Sequence, residues 1–320
     1  MSTFTLDNKT LREYATITDE EVKRKIRPTS EFMANVIDRY MHGTNMKGIK
    51  LPFGQFDNLF RLRPGELTVL AGINGSGKSM FAGQVMLNAI DQGYKCLSIS
   101  LEMSPEAQVA RMVRQASLKK SPDMDACLSF QMWSDQGGLH FYDQYGSVDT
   151  RTLMAVIRYA KEVHKVDFVL VDSLMTMSMA SDDWNGQKDV VCALANAARG
   201  LDVHVMLVTH ARKSGSIKDR LDKWSVAGSA DITNRADNVI IMGRLYEMDG
   251  ADAYMSLAKA RHFDGAEMDL DLHFDMESLN YWFGDSYPQQ FGMKESIKPD
   301  AGPLGMLEEV GLNDNRKEAA

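Results

Sequence analysis

The chain has 320 residues, a formal charge of −8 and 44% hydrophobic residues, enough for one large domain with an ample core or two small ones. The acidic balance excludes a generally basic nucleic-acid binder, so any contact with nucleic acid has to concentrate positive charge locally. Cys96, Cys127 and Cys192 fall in no metal-ligand spacing, no apolar run is long enough to span a bilayer, and the N-terminus carries no signal-peptide pattern. The expectation is a soluble protein with reduced thiols, cytoplasmic in a bacterial cell or phage-infected host and without a membrane partner.

Helical periodicity runs from Thr18 to Met41 and breaks at Pro28, because the residue before a proline is pushed out of the α region. The second helix, Thr29–Met41, carries Phe32, Val36, Ile37 and Tyr40 on one face, where they can pack on their own domain or on another subunit. Glycines around His42–Gly48 end it. Alternating elements follow. Strands are predicted at Leu67–Ala71, Lys95–Leu101, Leu139–Tyr142, Phe168–Val171, Val203–Val208 and Val239–Met242. Helices are predicted at Lys78–Asp91, Pro105–Ser117, Thr150–Val163 and Gln187–Arg199. Apolar strands alternating with helices specify an α/β fold: a mostly parallel central sheet with helices on both faces. Ala253–Ala260 and Met268–Phe274 bracket R-H-F-D-G and read as a hairpin with a D-G turn. Beyond Tyr287 the composition turns to Pro, Gly, Glu and Asn, and a mobile tail is expected over the last ~30 residues.

Gly72–Ser79 reads G-I-N-G-S-G-K-S, a complete phosphate-binding loop set between a predicted strand and a predicted helix. Glycines let successive N–H groups of Gly72, Asn74, Gly75, Ser76 and Gly77 point into one concavity, and the helix N-terminus adds partial positive charge. Lys78 reaches the β- and γ-phosphates and the Ser79 hydroxyl ligates Mg²⁺, so the chain is expected to bind ATP or another nucleoside triphosphate with magnesium. The apolar strand ending V-L-V-D supplies Asp172 as the carboxylate that holds the magnesium; an ordinary helix N-cap is the other reading. Glu102 follows the strand C-L-S-I-S-L, which a right-handed crossover sets beside the phosphate-loop strand. There it either polarises the attacking water or complements the dipole of the helix opening at Pro105.

Several blocks carry a family resemblance: S-L-E-M at Ser100–Met103, the phosphate loop, V-L-V-D, H-V-M-L-V-T-H-A-R-K at His204–Lys213, G-S-A-D-I-T-N-R-A-D-N-V-I-I at Gly228–Ile241 and S-L-A-K-A-R-H-F-D-G at Ser256–Gly265. In this order they resemble the hexameric replicative helicases of the DnaB-like group, most of all the helicase half of phage primase-helicases and the Twinkle-type mitochondrial enzymes. The resemblance covers roughly residues 50 to 283 and implies a RecA-like phosphate-loop NTPase core. It places His210 as a polar sensor of the γ-phosphate, a position where a satisfied structural histidine is the alternative. It makes Lys259 and Arg261 candidates to reach a neighbouring subunit's nucleotide, Arg261 as an arginine finger; a solvated sheet edge is the other reading of K-A-R. Arg244 and Phe274 match positions that sandwich the nucleotide base, although by itself Phe274 reads as core. Asn234 stands where the family has a glutamine and is one methylene shorter.

Between His210 and Trp224 lie Arg212, Lys213, Lys218, Arg220 and Lys223 against only Asp219 and Asp222. The family places this segment as a loop lining the central channel, where it tracks the phosphates of single-stranded DNA; a solvated surface loop is the alternative. The resemblance implies a 5′→3′ DNA helicase acting as a homo-oligomeric ring, most simply a hexamer. It would use a separate primase and, at a replication fork, a polymerase, loader or single-strand-binding protein. The expected organisation is a helical linker and subunit-contact segment over 1–50, a RecA-like motor over 51–284 and a tail over 285–320. The segment before the motor has no room for a primase or zinc module, so the sequence reads as a stand-alone motor. A RecA-type recombination or recombination-mediator ATPase shares the core and single-strand binding, but not the H-A-R-K run or the K-A-R hairpin. A KaiC-like regulatory assembly is disfavoured by an intact set of Glu102, Asp172 and Arg261.

Overall fold

The computed structural model describes residues 26–41, 47–144, 146–174, 183–211, 220–226, 230–245, 250–262, 268–285, 288 and 290–292. Two units separate at residues 47 and 48. In the first, helix α1 spans Ser30–Met41, with an ion pair from Arg27 to Glu31 at 2.7 Å and Arg27 over the Phe32 ring. The helix predicted ahead of Pro28 lies outside the described residues.

The second unit is built on one nine-stranded sheet. In chain order its elements are β1 (Leu67–Gly72), α2 (Lys78–Asp91), β2 (Cys96–Ser100), α3 (Pro105–Ser117), α4 (Met124–Gly137), β3 (Leu139–Phe141) and α5 (Thr150–Tyr159). A π-helical turn at Ala160–His164 follows, then β4 (Phe168–Asp172), α6 (Trp184–Leu201), β5 (His204–His210), α7 (Ala230–Arg235), β6 (Asn238–Arg244), β7 (Ala253–Ala260), β8 (Met268–Asp275) and β9 (Asn280–Trp282). The strand order is β3-β2-β4-β5-β1-β6-β7-β8-β9. The first six in that order run parallel and the last three are added antiparallel.

Successive residues of a strand face opposite sides, and here both sides are apolar and covered. Leu70, Leu170, Met206, Val208, Ile240 and Met242 pack with Phe81, Val85, Met112 and Phe130 of α2, α3 and α4. Val69, Ala71, Val169, Val171, Val205, Leu207 and Ile241 pack on the other side with Leu153, Ile157, Val190, Leu194 and Ile232 of α5, α6 and α7. That is why the parallel strands read as unbroken hydrophobic runs. The α/β fold expected from the sequence is present, and every predicted strand forms, with ends moved by a residue or two. The turn of the β7–β8 hairpin lies outside the described residues.

Three elements were not legible. Helix α4 has Asp123 as N-cap, accepting from Ala126 N, and Gly138 in the left-handed region at its end. Its capping signals are thus present, but the sequence between them has too irregular an apolar spacing to read as helix. Strand β9 and helix α7 are simply short. Past β9, Phe291 stacks on Trp133 of α4 at 6.3 Å, Gln290 donates to Ser117 O and Gly292 N to Asp91. Residues 293–320, most of the predicted tail, lie outside the described residues. Among the described residues no helix is long and apolar enough to cross a membrane.

Candidate nucleotide site

The C-terminal ends of the parallel strands lie along one edge of the sheet, the edge where open α/β folds bind ligands. There β1 breaks into the phosphate loop. Gly75 and Gly77 have φ of 76° and 88°, the left-handed region that glycine tolerates and side chains resist, and Gly77 is the N-cap of α2. Gly72 is required for a different reason: a Cβ there would strike the Met242 carbonyl of the adjoining β6. Lys78 Nζ donates to the carbonyls of Gly72 and Ile73, both at 2.9 Å, and so lies across the loop mouth. Burial lowers its pKa, with Asp172 and Glu102 opposing.

Ser79 Oγ donates to Asp172 Oδ2 at 2.9 Å, bringing together the two residues expected to hold magnesium. Burial pushes the Asp172 carboxyl up to about 6, Glu102 adds to the rise, and the Ser79 bond, Lys78 and Arg111 work against it. A buried carboxylate beside a serine hydroxyl at the loop mouth is an oxygen donor set that fits a hard divalent cation, whose charge would keep the carboxylate ionised. Glu102 lies beside them, after β2. That strand pairs with the Asp172 strand β4 and is not beside the phosphate-loop strand as expected, because β4 and β5 lie between it and β1. Glu102 Oε1 accepts from Ser173 Oγ at 2.5 Å and stands 3.9 Å from His210 Nε2 at the end of β5. Burial and the neighbouring Lys78 lower the pKa of His210, so near neutral pH that contact is not an ion pair. His210 Nδ1 is buried with no partner among the described residues.

At the same edge, Arg244 ends β6 and Phe274 lies near the end of β8. The Phe274 ring meets Tyr281 of β9 at 4.6 Å between centroids. Gln84 of α2 ties β9 to the loop helix: its Nε2 donates to Tyr281 O at 2.7 Å and its Oε1 accepts from Tyr281 N at 2.9 Å. Ser173, Gln84 and Tyr281 were missed by reading the sequence. Each acts through a partner at least 71 positions away in the chain, so no local pattern marks it.

Lys259 and Arg261 are not at this edge. Arg261 N donates to Asp237 O, and Asp237 N to Leu67 O, so Arg261 is level with the first residue of β1, five residues before Gly72. At ~3.3 Å per residue that is about 16 Å from the phosphate loop. Lys259 Nζ donates to the carbonyls of Thr233 (2.7 Å), Ala236 (2.8 Å) and Asn234 (3.3 Å), and Arg261 donates to Asn234 O at 2.7 Å. Cations on the last carbonyls of α7 complement its dipole. Asn234 thus contributes through its carbonyl.

Of the five basic residues assigned to DNA, Arg212, Lys213 and Lys218 lie outside the described residues. Arg220 departs from the expectation of a cation open to DNA. Its guanidinium is 2.5 Å from Asp271 and 3.9 Å from Asp269 on β8 and lies over the Tyr254 ring, so its charge is largely offset. Lys223 lies 5.8 Å over the ring of Trp224. The segment closes where it opened: Ala211 bridges Val226, and Leu221 N donates to the Tyr254 hydroxyl at 2.7 Å.

A glycine loop feeding a helix, a serine–aspartate pair beside it and a carboxylate after the strand next to the aspartate's define a RecA-like phosphate-loop nucleotidase fold. The chain belongs to the DnaB-like helicase C-terminal domain family, which it matches over residues 48–282. It is 27% identical over 233 residues to the chloroplastic/mitochondrial Twinkle homolog protein of Arabidopsis thaliana, a match covering 65% of this chain and 32% of that one. The chain therefore spans about a third of the length of that curated relative. Among solved structures it resembles an ATPase domain, with a TM-score of 0.70 and 19% identity over 81% of this chain and 100% of that one. It also resembles a DnaB-like replicative helicase whose interactions with primase have been described, with a TM-score of 0.67 and 20% identity over 86% and 70% of the two chains.

Proposed function

We propose that the chain is the motor of a replicative DNA helicase, an NTP hydrolase that assembles as a ring, most simply a hexamer, translocates 5′→3′ on single-stranded DNA and unwinds the duplex ahead. The observation that carries this reading is the position of Arg261. Its guanidinium lies at the opposite end of the sheet from its own phosphate loop, bonded to the carbonyls of α7. An arginine finger so placed would serve a neighbour's nucleotide, which supports an assembly of copies as the active form.

In that assembly the loop amides and Lys78 hold the β- and γ-phosphates. Glu102, oriented by Ser173, takes a proton from water as the water oxygen bonds to the γ-phosphorus and the bond to the bridging oxygen breaks. Magnesium, held by Ser79 and Asp172, would neutralise charge on the phosphate oxygens. His210 senses the γ-phosphate, and Arg244 with Phe274 sandwiches the base. His210 is followed at once by the basic segment, so release of phosphate can shift a DNA-holding loop without a long relay. Arg212, Lys213, Lys218 and Lys223 follow the strand backbone, while Arg220 anchors the loop's return. Helix α1 makes the subunit contact. Partners are single-stranded DNA, a separate primase and, at the fork, a polymerase, loader or single-strand-binding protein.

Unwinding of forked DNA carrying either a 5′ or a 3′ single-stranded arm, with ATP and Mg²⁺, tests the reading. Strand release from the 5′-armed fork alone is the expected result. DNA-stimulated hydrolysis with stable pairing of homologous strands and no release from either fork would instead identify a RecA-type recombination ATPase.

A further inference from the structure

Tyr281 is 4% exposed, yet its hydroxyl has no hydrogen-bond partner among the described residues. The hydroxyl is not one of the fully buried unpartnered polar atoms, so a ligand can still reach it. The hydroxyl lies against the phosphate loop: a Cβ placed on Gly77 would collide with it. On its other side the ring packs on Phe274 at 4.6 Å, and the backbone of Tyr281 is fixed on both sides by Gln84 of the loop helix. Its orientation is therefore set before any ligand arrives. Burial raises its pKa to about 12, so the group is a neutral O–H donor throughout the physiological range.

The loop amides take the terminal phosphates, and Arg244 and Phe274 take the base. Whatever joins these two halves of the ligand must cross the gap in which Tyr281 stands. We propose that Tyr281 is a nucleotide-positioning residue whose hydroxyl donates to an α-phosphate oxygen and whose ring braces Phe274 for the base. This rests on the nucleotide-binding reading of the loop but assigns a contact that the loop pattern does not contain. It also accounts for the glycine at 77, because the space a side chain would fill is held by the tyrosine hydroxyl.

The test is calorimetric binding of Mg-ADP and Mg-dADP to the full chain and to Tyr281→Phe, with thermal midpoints measured with and without nucleotide. Loss of one hydrogen bond to a charged oxygen is expected to weaken both ligands about ten-fold or more and by the same factor. The midpoint without nucleotide stays unchanged, because the hydroxyl makes no hydrogen bond among the described residues, and only the nucleotide-induced rise shrinks. Equal affinities for wild type and variant would overturn the assignment. Weakening confined to ADP would overturn it in favour of the ribose 2′-hydroxyl, and a lowered midpoint without nucleotide would mark a structural role. Failure of the wild type to bind either nucleotide would overturn the nucleotide site itself, and this contact with it.

Discussion

At the C-terminal ends of the parallel strands, β1 gives way to a glycine loop, Asp172 and Glu102 stand side by side, and His210 opens directly into the basic segment. At the other end of the same sheet, Asp237 accepts from Leu67 N at 3.0 Å and pairs with Arg199 at 3.1 Å and Arg261 at 3.5 Å, while Lys259 caps α7. At the first end His210 Nδ1 has no partner among the described residues, beside the open loop; at the second, the charged acids and bases are largely matched to one another. On the proposed roles, the two ends are the two parts of one catalytic site, and a single copy would hold both without bringing them together. The loop and Arg261 are about 16 Å apart along the sheet, so the proposed finger would meet a nucleotide only where the loop end of one copy faces the Arg261 end of the next.

The sharpest way to break this comparison is to damage each end in a different copy. Glu102→Gln keeps the size of the side chain but removes the proton acceptor, and a fall in turnover of about 10²–10⁴-fold is expected with nucleotide affinity retained. Arg261→Ala is expected to cost about 10³–10⁵ in turnover. Mixed in one assembly, the two variants regain part of the hydrolysis rate, because some interfaces join an intact loop end to an intact finger. A mixture no more active than its separate components would mean that Arg261 acts within its own subunit, as a cap on α7.

The buried histidine at the finger end provides a second, smaller test. His204 begins β5, stacks on Phe168, and donates through Nδ1 to Arg63 O at 2.8 Å, while its Nε2 is buried without a partner among the described residues. Burial holds its pKa down, from 6.5 to about 4, with the Arg63 carbonyl and Asp237 opposing. The unfolded chain therefore binds this proton between pH 6.5 and 4 and the folded chain does not, so folded stability falls as pH drops through that window. At 1.36 kcal/mol per unit the loss amounts to about 3 kcal/mol by pH 4. Urea unfolding from pH 7.5 to 4.5 should show the slope, and His204→Gln should lack this share of it. If the two slopes coincide, the finger end is wetter than its packing indicates.

How much of this was legible depended on distance along the chain. The phosphate loop, the strand ending at Asp172 and the helix behind Pro105 are written in consecutive residues, and each folds where local pattern puts it. The Ser79–Asp172 pair spans 93 positions and was accessible only because the loop motif implies a metal acid. Nothing comparable announces Ser173 to Glu102 or Tyr281 to Gly77, where an ordinary serine and an ordinary core tyrosine become site residues through sheet order. Charge counting along the chain says least about Arg220. Five bases against two acids left a DNA-tracking loop and a solvated loop as the readings, but the acids that face Arg220, Asp269 and Asp271, come from β8, some fifty residues later.

That ion pair yields the smallest effect and separates the root of the basic segment from its middle. A cation already offset by two carboxylates releases no counterion when DNA binds, whereas an uncompensated lysine contributes about 0.7 to the slope of log affinity against log salt for a single strand. Lys213→Ala and Lys218→Ala should each reduce the slope measured on oligothymidine by about that amount. Arg220→Ala should leave the slope unchanged and instead lower folded stability by up to about 1 kcal/mol, the scale of an exposed ion pair. With Asp271→Asn in place, the same guanidinium gains net charge and the slope should steepen. A full loss of about 0.7 on Arg220→Ala alone would mean that DNA draws the arginine away from β8. The loop would then be anchored at its return by Leu221 and Tyr254 rather than by the ion pair.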